Sequence, residues 1–375
     1  MRKLEVKINF ELAPILIMKN KKNLSIKRFR DYGFKVGLLP CGKKNSIADV
    51  LGVKVGHLNK ILGKDIRTGI TIIDPGIKNL FRKKIPAAVY VGNGFGKLTG
   101  TTQIEELGTL ETPIALTNTL AVGPVMRGVV DWVIKNSPDI KSTETVNAVV
   151  GETNDGWLNN IHKNSISSVD VFKTFKNLSA DFATGCVGAG VGTRLFSWKG
   201  GIGSSSRLIK IGNKKYTLGA LVQTNFGGAL NILGIPVGKI LGQTDFDSFI
   251  KIGDGSCMIV LATDAPLSAR QLKRIAKRAM LGLAKTGSVM AHGSGDYAIA
   301  FSTNRSGIEG EGSLSKCLSD SCLTQFFLGA VEATEESIYD ALFAAKTTIG
   351  VNGHILKSIP KEQVVEIIKN KNGEK

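Results

Sequence analysis

Short apolar runs, separated by turns rich in glycine, proline, asparagine and aspartate, recur along the chain from about Ser46 onward. Runs of this length and composition are typical of buried β-strands, and the turn residues mark where each strand ends. The pattern predicts strands at 70–73, 87–91, 113–117, 146–150, 218–224, 257–262 and 297–301.

Between these runs, apolar residues return at the three- and four-residue spacing of a helix. This spacing predicts helices at 101–108, 123–134, 271–284 and 332–345. Ser268 indicates where the third helix begins, because a serine side chain can accept a hydrogen bond from the first turn. The fourth helix is expected to be amphipathic.

The alternation of strands and helices contains no clear linker and no internal repeat. We therefore expect one layered α/β domain over residues 45–375, with adjacent strands antiparallel. Residues 1–44 do not continue the pattern and are interpreted as an N-terminal extension. A chain of 375 residues with 42% hydrophobic residues is long enough to bury a large core.

The formal net charge of +18 favours an acidic partner such as nucleic acid or a membrane surface. Half of this excess lies in the first 44 residues, which carry 12 basic and 3 acidic residues. Aromatic residues make up only 6% of the chain, and no basic segment is interleaved with stacking side chains. No apolar run reaches the length of a membrane span. We therefore expect neither a nucleic-acid partner nor a membrane partner.

Five cysteines and four histidines form no CxxC pair and no spacing typical of metal ligands. This pattern predicts reduced thiols in a cytoplasmic protein, with no metal and no cofactor. Two glycine-rich segments leave a dinucleotide-binding loop and a phosphate-binding loop open as alternatives. Residues 185–192 hold the glycines of a dinucleotide loop at the wrong spacing, and residues 199–207 resemble a phosphate-binding loop without its Gly-Lys-Ser/Thr ending.

Among the sequence features, the Gly255-Ser256 dipeptide indicates a specific reaction most directly. A turn-like run at 252–255 delivers a serine to the head of an apolar strand. A hydroxyl held against the preceding glycine carbonyl can attack it, and Ser256 would then carry its own amine as a base. An ordinary junction between a loop and a strand looks the same.

Three other places carry candidate polar groups. Ser294 and Asp296 are two residues apart at a strand entrance, where alternate side chains share a face. Asn225 ends a strand and can donate its amide to an oxyanion, and Glu152 at another strand end can bind an amine. A glycine-rich turn, a turn asparagine and a solvated carboxylate are the simpler interpretations.

Taken in order, the motifs resemble the P1 peptidases, the self-processing L-aminopeptidase/D-amidase-esterases and β-aminopeptidases of peptidase family S58. The resemblance covers about residues 45–358 and rests on 45–57, 68–71, 92–96 (Gly-Asn-Gly-Phe-Gly), 104–108, 152–156 (Glu-Thr-Asn-Asp-Gly), 199–203, 225–227 (Asn-Phe-Gly), 254–256 with 262–266, 293–296 (Gly-Ser-Gly-Asp), 333–336 and 341–345. It implies a four-layer αββα sandwich like that of N-terminal-nucleophile hydrolases, with a different strand connectivity.

The resemblance also implies a role for each candidate residue. The nucleophile falls on Ser256, the cleaved bond on Gly255-Ser256, the supporting serine and acid on Ser294 and Asp296, the oxyanion amide on Asn225 and the substrate amine's partner on Glu152. Some members have glutamate where Asp296 stands. Trp157 takes the place of a frequent tyrosine at the substrate-binding turn, and Lys346 the place of a common acidic residue.

The family pattern implies a chain that cuts itself into an α chain ending at residue 255 and a β chain of residues 256–375. Its substrates would be short peptides, amino-acid amides or esters, and its processed protomers would form a homo-oligomer. One alternative is an acyltransferase related to ornithine acetyltransferase, a group that usually has threonine as nucleophile. Another is a basic nucleic-acid-binding protein.

Overall fold

The computed structural model describes residues 27–245, 255–308 and 316–373. In chain order, the strands are β1 (Lys54–Leu62), β2 (Ile66–Asp74), β3 (Ile85–Gly94), β4 (Thr109–Leu110), β5 (Ile114–Asn118), β6 (Val149–Thr153), β7 (Arg194–Leu195), β8 (Trp198–Lys199), β9 (Ile202–Ile211), β10 (Lys214–Asn225), β11 (Gly255–Thr263), β12 (Ser294–Ser302), β13 (Thr348–Ile349) and β14 (Ile355–Leu356). The helices are α1 (Thr101–Leu107), α2 (Val122–Asn136), α3 (Ser168–Lys176), α4 (Val237–Ile240), α5 (Ala269–Lys285), α6 (Leu323–Ala344) and α7 (Lys361–Gly373). Each predicted strand and helix overlaps one of these elements.

Two sheets stack face to face. The larger sheet has the order β4-β3-β12-β11-β10-β9, and the smaller has the order β1-β2-β5-β6. Apolar side chains such as Met258, Ile299 and Leu116 fill the space between them. Helices α5 and α6 cover the outer face of the larger sheet, and α2 and α3 cover the smaller one. The predicted αββα sandwich is confirmed.

Two neighbouring strand pairs are parallel, against the expectation of antiparallel neighbours. Strand β11 runs parallel to β12, and β5 runs parallel to β6. In each case a helix, α5 or α2, connects the two strands. A crossover of this kind returns the chain to the same end of the sheet, so the second strand starts where the first one started. The side chain of Ser268 accepts the amide of Gln271 and caps α5, as predicted.

Helix α6 is not amphipathic, although the sequence suggested that it would be. It lies between the larger sheet, α5 and the N-terminal segment (residues 27–44), so residues on nearly all of its faces are buried. Among them are the carboxylates Glu332, Glu336 and Asp340. Carboxylates in an apolar interior need charged partners, and the structure provides arginines for all three.

Arg207 of β9 is completely buried and holds two of these carboxylates. Its Nε lies 2.9 Å from Glu332 Oε2, and its Nη2 lies 2.7 Å from Glu336 Oε2 and 2.8 Å from the carbonyl oxygen of Val36. Burial pushes up the pKa of Glu336, but Arg30 and Arg207 together bring it below its ordinary value. The network joins α6 to the larger sheet and to the N-terminal segment.

Residues 27–44, which the sequence pattern assigned to an N-terminal extension, pack against helix α6. The Phe29 ring packs against Tyr339 and Phe343, with centroids 5.0 Å from each. Arg28 Nε donates to Asp340 Oδ1 at 2.8 Å. The sequence pattern missed this segment because it is anchored by ion pairs and aromatic contacts. Residues 1–26 lie outside the described ranges.

The two glycine-rich segments pack backbone against backbone. A Cβ atom on Gly201 would lie 2.0 Å from the carbonyl oxygen of Gly185. A larger residue at position 201 would therefore keep the two segments further apart. Lys199 is fully buried, and its Nζ donates to the carbonyl oxygens of Gly190, Thr193 and Gly200 at 2.8 to 2.9 Å. An ammonium committed in this way is not available to a phosphate. Among the described helices, none is long and apolar enough to cross a bilayer.

We expect Arg207→Ala to lower the free energy of unfolding by about 3–5 kcal/mol, because it leaves Glu332 and Glu336 without their shared buried cation. Urea unfolding in a Ser256→Ala background, which keeps the chain in one piece under the cleavage hypothesis, measures this loss. Arg274→Ala is the matched control, since Arg274 pairs with Asp320 at the surface, where both side chains are exposed. Its loss should stay below about 1 kcal/mol, and equal losses would contradict the assigned role of Arg207.

Candidate active site

Three strands of the larger sheet end together at Ser256. In the antiparallel pair β10–β11, Ser256 is the register partner of Asn225. In the parallel pair β11–β12, it is the partner of Gly295. The predicted nucleophile and oxyanion amide are therefore direct neighbours, although 30 residues of sequence lie between them.

The hydroxyl of Ser256 lies against the carbonyl that it is expected to attack. Ser256 Oγ is 2.5 Å from Gly255 O, and the residue is only 5% exposed. Since a C=O bond is about 1.2 Å long, Oγ lies within about 3.7 Å of the carbonyl carbon. Gly255 begins β11. The rest of the predicted turn at 252–255 lies outside the described residues.

Asn225 is oriented by the backbone of Arg194. The Arg194 amide donates to Asn225 Oδ1 at 3.1 Å. Because this side-chain atom accepts a hydrogen bond from an N–H group, it is the oxygen of the Asn225 amide and not the nitrogen. The Nδ2 group then points away from that amide, with two N–H donors to offer. Asn225 is 5% exposed and sits at the last position of β10. An amide donor held in this way is suited to stabilise an oxyanion at Ser256.

Ser294 and Asp296 lie at the start of β12, both buried. A Cβ atom on Gly255 would lie 3.0 Å from Ser294 Oγ, so this hydroxyl borders the residue that carries the carbonyl of the predicted cleavage bond. Burial raises the pKa of Asp296 to about 6, and the nearby Ser294 hydroxyl opposes the rise. Within the described ranges, neither Asp296 oxygen has a hydrogen-bond partner of normal geometry.

The nucleophile and the Ser294–Asp296 pair occupy opposite faces of the sheet. Ser256 shares its face with Met258, which points into the space between the sheets. Ser294 and Asp296 share theirs with Ala298, which packs in the core beside α5. The backbone nitrogen of Ser256 lies between the two faces. The pair therefore approaches Ser256 from the face opposite its hydroxyl.

Glu152 comes from the smaller sheet and reaches the same end of the sandwich. It lies at the penultimate position of β6 and is 2% exposed. Its Oε1 accepts the Lys97 amide at 2.8 Å, and its Oε2 accepts the Thr119 hydroxyl. A Cβ atom on Gly96 would lie 3.1 Å from Glu152 Oε1 and 3.4 Å from Gly295 Cα. Gly96 is thus a close neighbour both of the Glu152 carboxylate and of Gly295, the register partner of Ser256.

Trp157 is half-exposed and pairs with His354. Their rings stack with centroids 4.2 Å apart and an interplanar angle of 14°, and His354 Nδ1 lies 2.8 Å from the Trp157 carbonyl oxygen. Among the contacts of the described residues, none joins Trp157 to Ser256 or Asn225. Its predicted role in substrate binding stays a prediction.

Asn93 is a site residue to which the sequence gave no role. It is the register partner of Asp296 on β3. Its Nδ2 lies 2.9, 3.1 and 2.6 Å from the carbonyl oxygens of Ala291, His292 and Ser294. One amide thus closes the turn that leads into β12. The sequence signal for Asn93 was the Gly-Asn-Gly-Phe-Gly motif at 92–96. The sequence alone did not show which carbonyl groups this asparagine would bind.

No group of three or more histidine, cysteine, aspartate or glutamate side chains able to hold a metal ion is found in the part of the chain that the structure describes. The polar groups that meet at Ser256 are a hydroxyl, an amide and carboxylates. They can attack a carbonyl, stabilise the resulting oxyanion and bind an amine. This is the chemistry of acyl transfer to a serine.

Comparison with known proteins agrees with this chemistry. A model of peptidase family S58 matches residues 45–356, most of the chain. The chain belongs to peptidase family S58. It is a hydrolase that acts on peptide and amide bonds, of the aminopeptidase type, as the motifs predicted.

Relatives cover almost the whole S58 chain. The β-peptidyl aminopeptidase BapA of Sphingosinicella microcystinivorans is 37% identical over 91% of this chain and 92% of its own length. A protein of Pyrococcus horikoshii OT3 with a known crystal structure is 42% identical, with a TM-score of 0.86 over 92% of this chain and 99% of its own. The L-aminopeptidase D-Ala-esterase/amidase of Ochrobactrum anthropi, described as a variant of the Ntn hydrolase fold, is 31% identical, with a TM-score of 0.84 over the same shares.

We expect Asp296→Asn to raise the free energy of unfolding at pH 8 and to change it little below pH 4. The folded-state pKa of about 6 lies above the ordinary value of 3.8. The protonated carboxyl therefore contributes stability that is complete below about pH 4 and lost as the pH rises through about 6. The gain at pH 8 is at most about 3 kcal/mol.

Urea unfolding at the two pH values in the Ser256→Ala background measures this difference. Asp181→Asn is the control, because the Asp181 side chain is 88% exposed and pairs with Lys44 at the surface. It should show no comparable pH-dependent gain. A gain from Asp296→Asn that is the same at both pH values would contradict the burial of an ionised Asp296.

Proposed function

We propose that this S58 chain is a self-processing aminopeptidase in which Ser256 first cuts the Gly255–Ser256 bond and then serves as the N-terminal nucleophile. The observation that carries the proposal is the convergence at Ser256. Its hydroxyl lies against the Gly255 carbonyl, Asn225 is its register partner on one side, and Gly295, between Ser294 and Asp296, is its partner on the other.

The self-cleavage begins with attack of Ser256 Oγ on the Gly255 carbonyl carbon. The C–O bond forms, the C–N bond to Ser256 breaks, and the hydroxyl proton passes to the nitrogen that becomes the new α-amine. Water then hydrolyses the ester, which leaves a carboxylate on Gly255 and restores the Ser256 hydroxyl. The α chain ends at residue 255, and the β chain begins at residue 256.

Cleavage supplies the base that the mature enzyme needs. The new α-amine lies between the two faces of the sheet, where Ser294 borders the position that Gly255 occupied. An α-amine has a pKa of about 7.7–8.0, so a useful fraction is neutral at physiological pH. It accepts the Ser256 Oγ proton, and Ser294 and Asp296 hold it in place.

Asn225 and Glu152 complete the site for substrate. The Nδ2 group of Asn225 donates to the oxyanion that forms when Ser256 attacks an amide or ester carbonyl. The Glu152 carboxylate binds the free amine of the substrate, which limits the enzyme to N-terminal residues. The substrate class is therefore short peptides, amino-acid amides and esters with a free amino group.

Location and assembly follow from less direct observations. The five cysteines, all among the described residues, form no disulfide, which supports a reducing cytoplasmic environment. The resemblance to the P1 peptidases supports a homo-oligomer of processed protomers. The proposed reaction requires neither a cofactor nor a nucleic acid.

We expect purified protein to give two bands on a denaturing gel, one ending at Gly255 and one of 120 residues that begins at Ser256 (375 minus 255). Mass spectrometry of the smaller band identifies its first residue. Ser256→Ala should give one uncut chain without amidase activity. Uncut wild-type protein, together with full amidase activity in Ser256→Ala, would refute the proposal.

We expect Asn225→Ala to lower kcat on an amino-acid amide by about 10²–10³-fold, the usual effect of removing one oxyanion donor. KM should change much less, because the donor acts mainly in the transition state. Rates are divided by the cleaved fraction on a gel, so that slower processing does not count as lower activity. The control is Asn213→Ala in the exposed turn between β9 and β10. A loss confined to KM would remove Asn225 from the oxyanion site.

A further inference from the structure

A cavity of about 480 Å³ lies between the turn after β2 and helix α2. It is at the opposite end of the smaller sheet from Glu152. Ile114 pairs with Val149 at the cavity end of β5–β6, and Thr117 pairs with Glu152 at the other. The two ends are three strand residues apart, about 10 Å. None of the proposed catalytic residues lines the cavity.

Two aromatic rings line this cavity. Phe81 is buried, with the Arg82 guanidinium 5.0 Å from its ring centroid. The Trp132 ring stacks on Phe175 at a centroid distance of 3.8 Å and an angle of 9°. Phe175 thus holds one face of Trp132. These rings give the cavity an apolar wall that is already in place before a ligand binds.

Charged groups of both signs line the same cavity. Lys54 and Lys78 are exposed, and Asp74, the register partner of Lys54, is partly buried. Asp74 Oδ1 accepts the Gly76 amide at 2.9 Å. Burial raises the pKa of Asp74, and Lys54 opposes the rise. The Asp74 carboxylate and the two ammonium groups therefore stand beside an aromatic wall.

Glu111 also lines the cavity, but its oxygens already have partners. Its Oε1 accepts the Asn147 amide at 2.8 Å, and its Oε2 accepts Gln103 Nε2 at 2.9 Å as well as the Lys84 ammonium. Asp74 is thus the carboxylate with the greater capacity to accept a further donor. A ligand cation would go to Asp74 and a ligand anion to the lysines.

We propose that this cavity binds a free amino acid with an aromatic or large apolar side chain. Its ammonium group lies on Asp74, its carboxylate on Lys54 and Lys78, and its side chain on Phe81 and Trp132. Such an amino acid is a product of the proposed reaction, and this link to the products rests on the proposed function. The binding site itself does not, because it shares no residue with the Ser256 site.

Isothermal titration calorimetry of the purified protein with L-phenylalanine tests the proposal. Asp74→Asn keeps an acceptor for the Gly76 amide and removes only the charge, so it should weaken binding by at least about tenfold. Lys78→Glu, at an exposed position that leaves the fold intact, should weaken it as well. Asp65→Asn is the matched control, since Asp65 lies at the other end of the β1–β2 hairpin and pairs with Lys163. It should bind like wild type.

Two ligand analogues and one further variant complete the test. N-acetyl-L-phenylalanine lacks the amine and phenethylamine lacks the carboxylate, so both should bind more weakly than L-phenylalanine. Glu152→Gln should leave L-phenylalanine binding at this cavity unchanged. No binding of L-phenylalanine at millimolar concentration would overturn the proposal. Binding that is lost in Glu152→Gln but retained in Asp74→Asn would overturn it too, because the amino acid would then occupy the Ser256 site.

The outcomes for this cavity and for the proposed function are distinguishable. Binding that depends on Asp74, in a protein that neither cleaves itself nor hydrolyses amides, would support the amino-acid site and refute the proposed function. Self-cleavage and amidase activity, with no effect of Asp74→Asn or Lys78→Glu on binding, would do the reverse.

Discussion

Buried pairing between arginines and the carboxylates of helix α6 is the interaction on which the rest of the structure depends. Arg207 joins β9 to Glu332 and Glu336, and Arg28 joins the N-terminal segment to Asp340. Burying any of these carboxylates without a cation would lower the stability of the fold, and the paired arginine offsets this cost. The arginines precede Ser256 in the chain and the carboxylates follow it. The same pairs would therefore hold the two processed chains together.

The site depends in turn on strand register. Asn225 and Gly295 reach Ser256 only because β10 and β12 pair with β11 in one alignment. A slip of one residue would turn the Ser256 side chain towards α5 and away from the space between the sheets. Asn93, which fastens the turn before β12, helps to maintain that alignment. The register of the strands in the larger sheet therefore determines which residues lie beside Ser256.

Much of this arrangement could be predicted from local pattern, and the rest could not. Apolar runs located the strands that carry Asn225, Ser256 and Asp296, because burial between layers leaves a strong local signal. Strand β9 was overlooked, since Ser204, Ser205 and Ser206 look like a loop until their partners in α6 and in the N-terminal segment are known. The parallel pairing, the packing of residues 27–44 and the role of Asn93 all depend on contacts between distant parts of the chain, which periodicity does not encode.

The Gly255–Ser256 bond is the first peptide bond of β11, so β10 lies before it in the chain and all of its antiparallel neighbour β11 except Gly255 lies after it. If this bond is cut as proposed, adjacent strands of one sheet come to belong to two polypeptides. Before cutting, the connection keeps them at a high effective concentration, and afterwards that advantage is gone. Refolding of the separated chains would then be a bimolecular reaction that depends on protein concentration. The mature enzyme would persist through slow unfolding, a kinetic stability set while the chain was still whole.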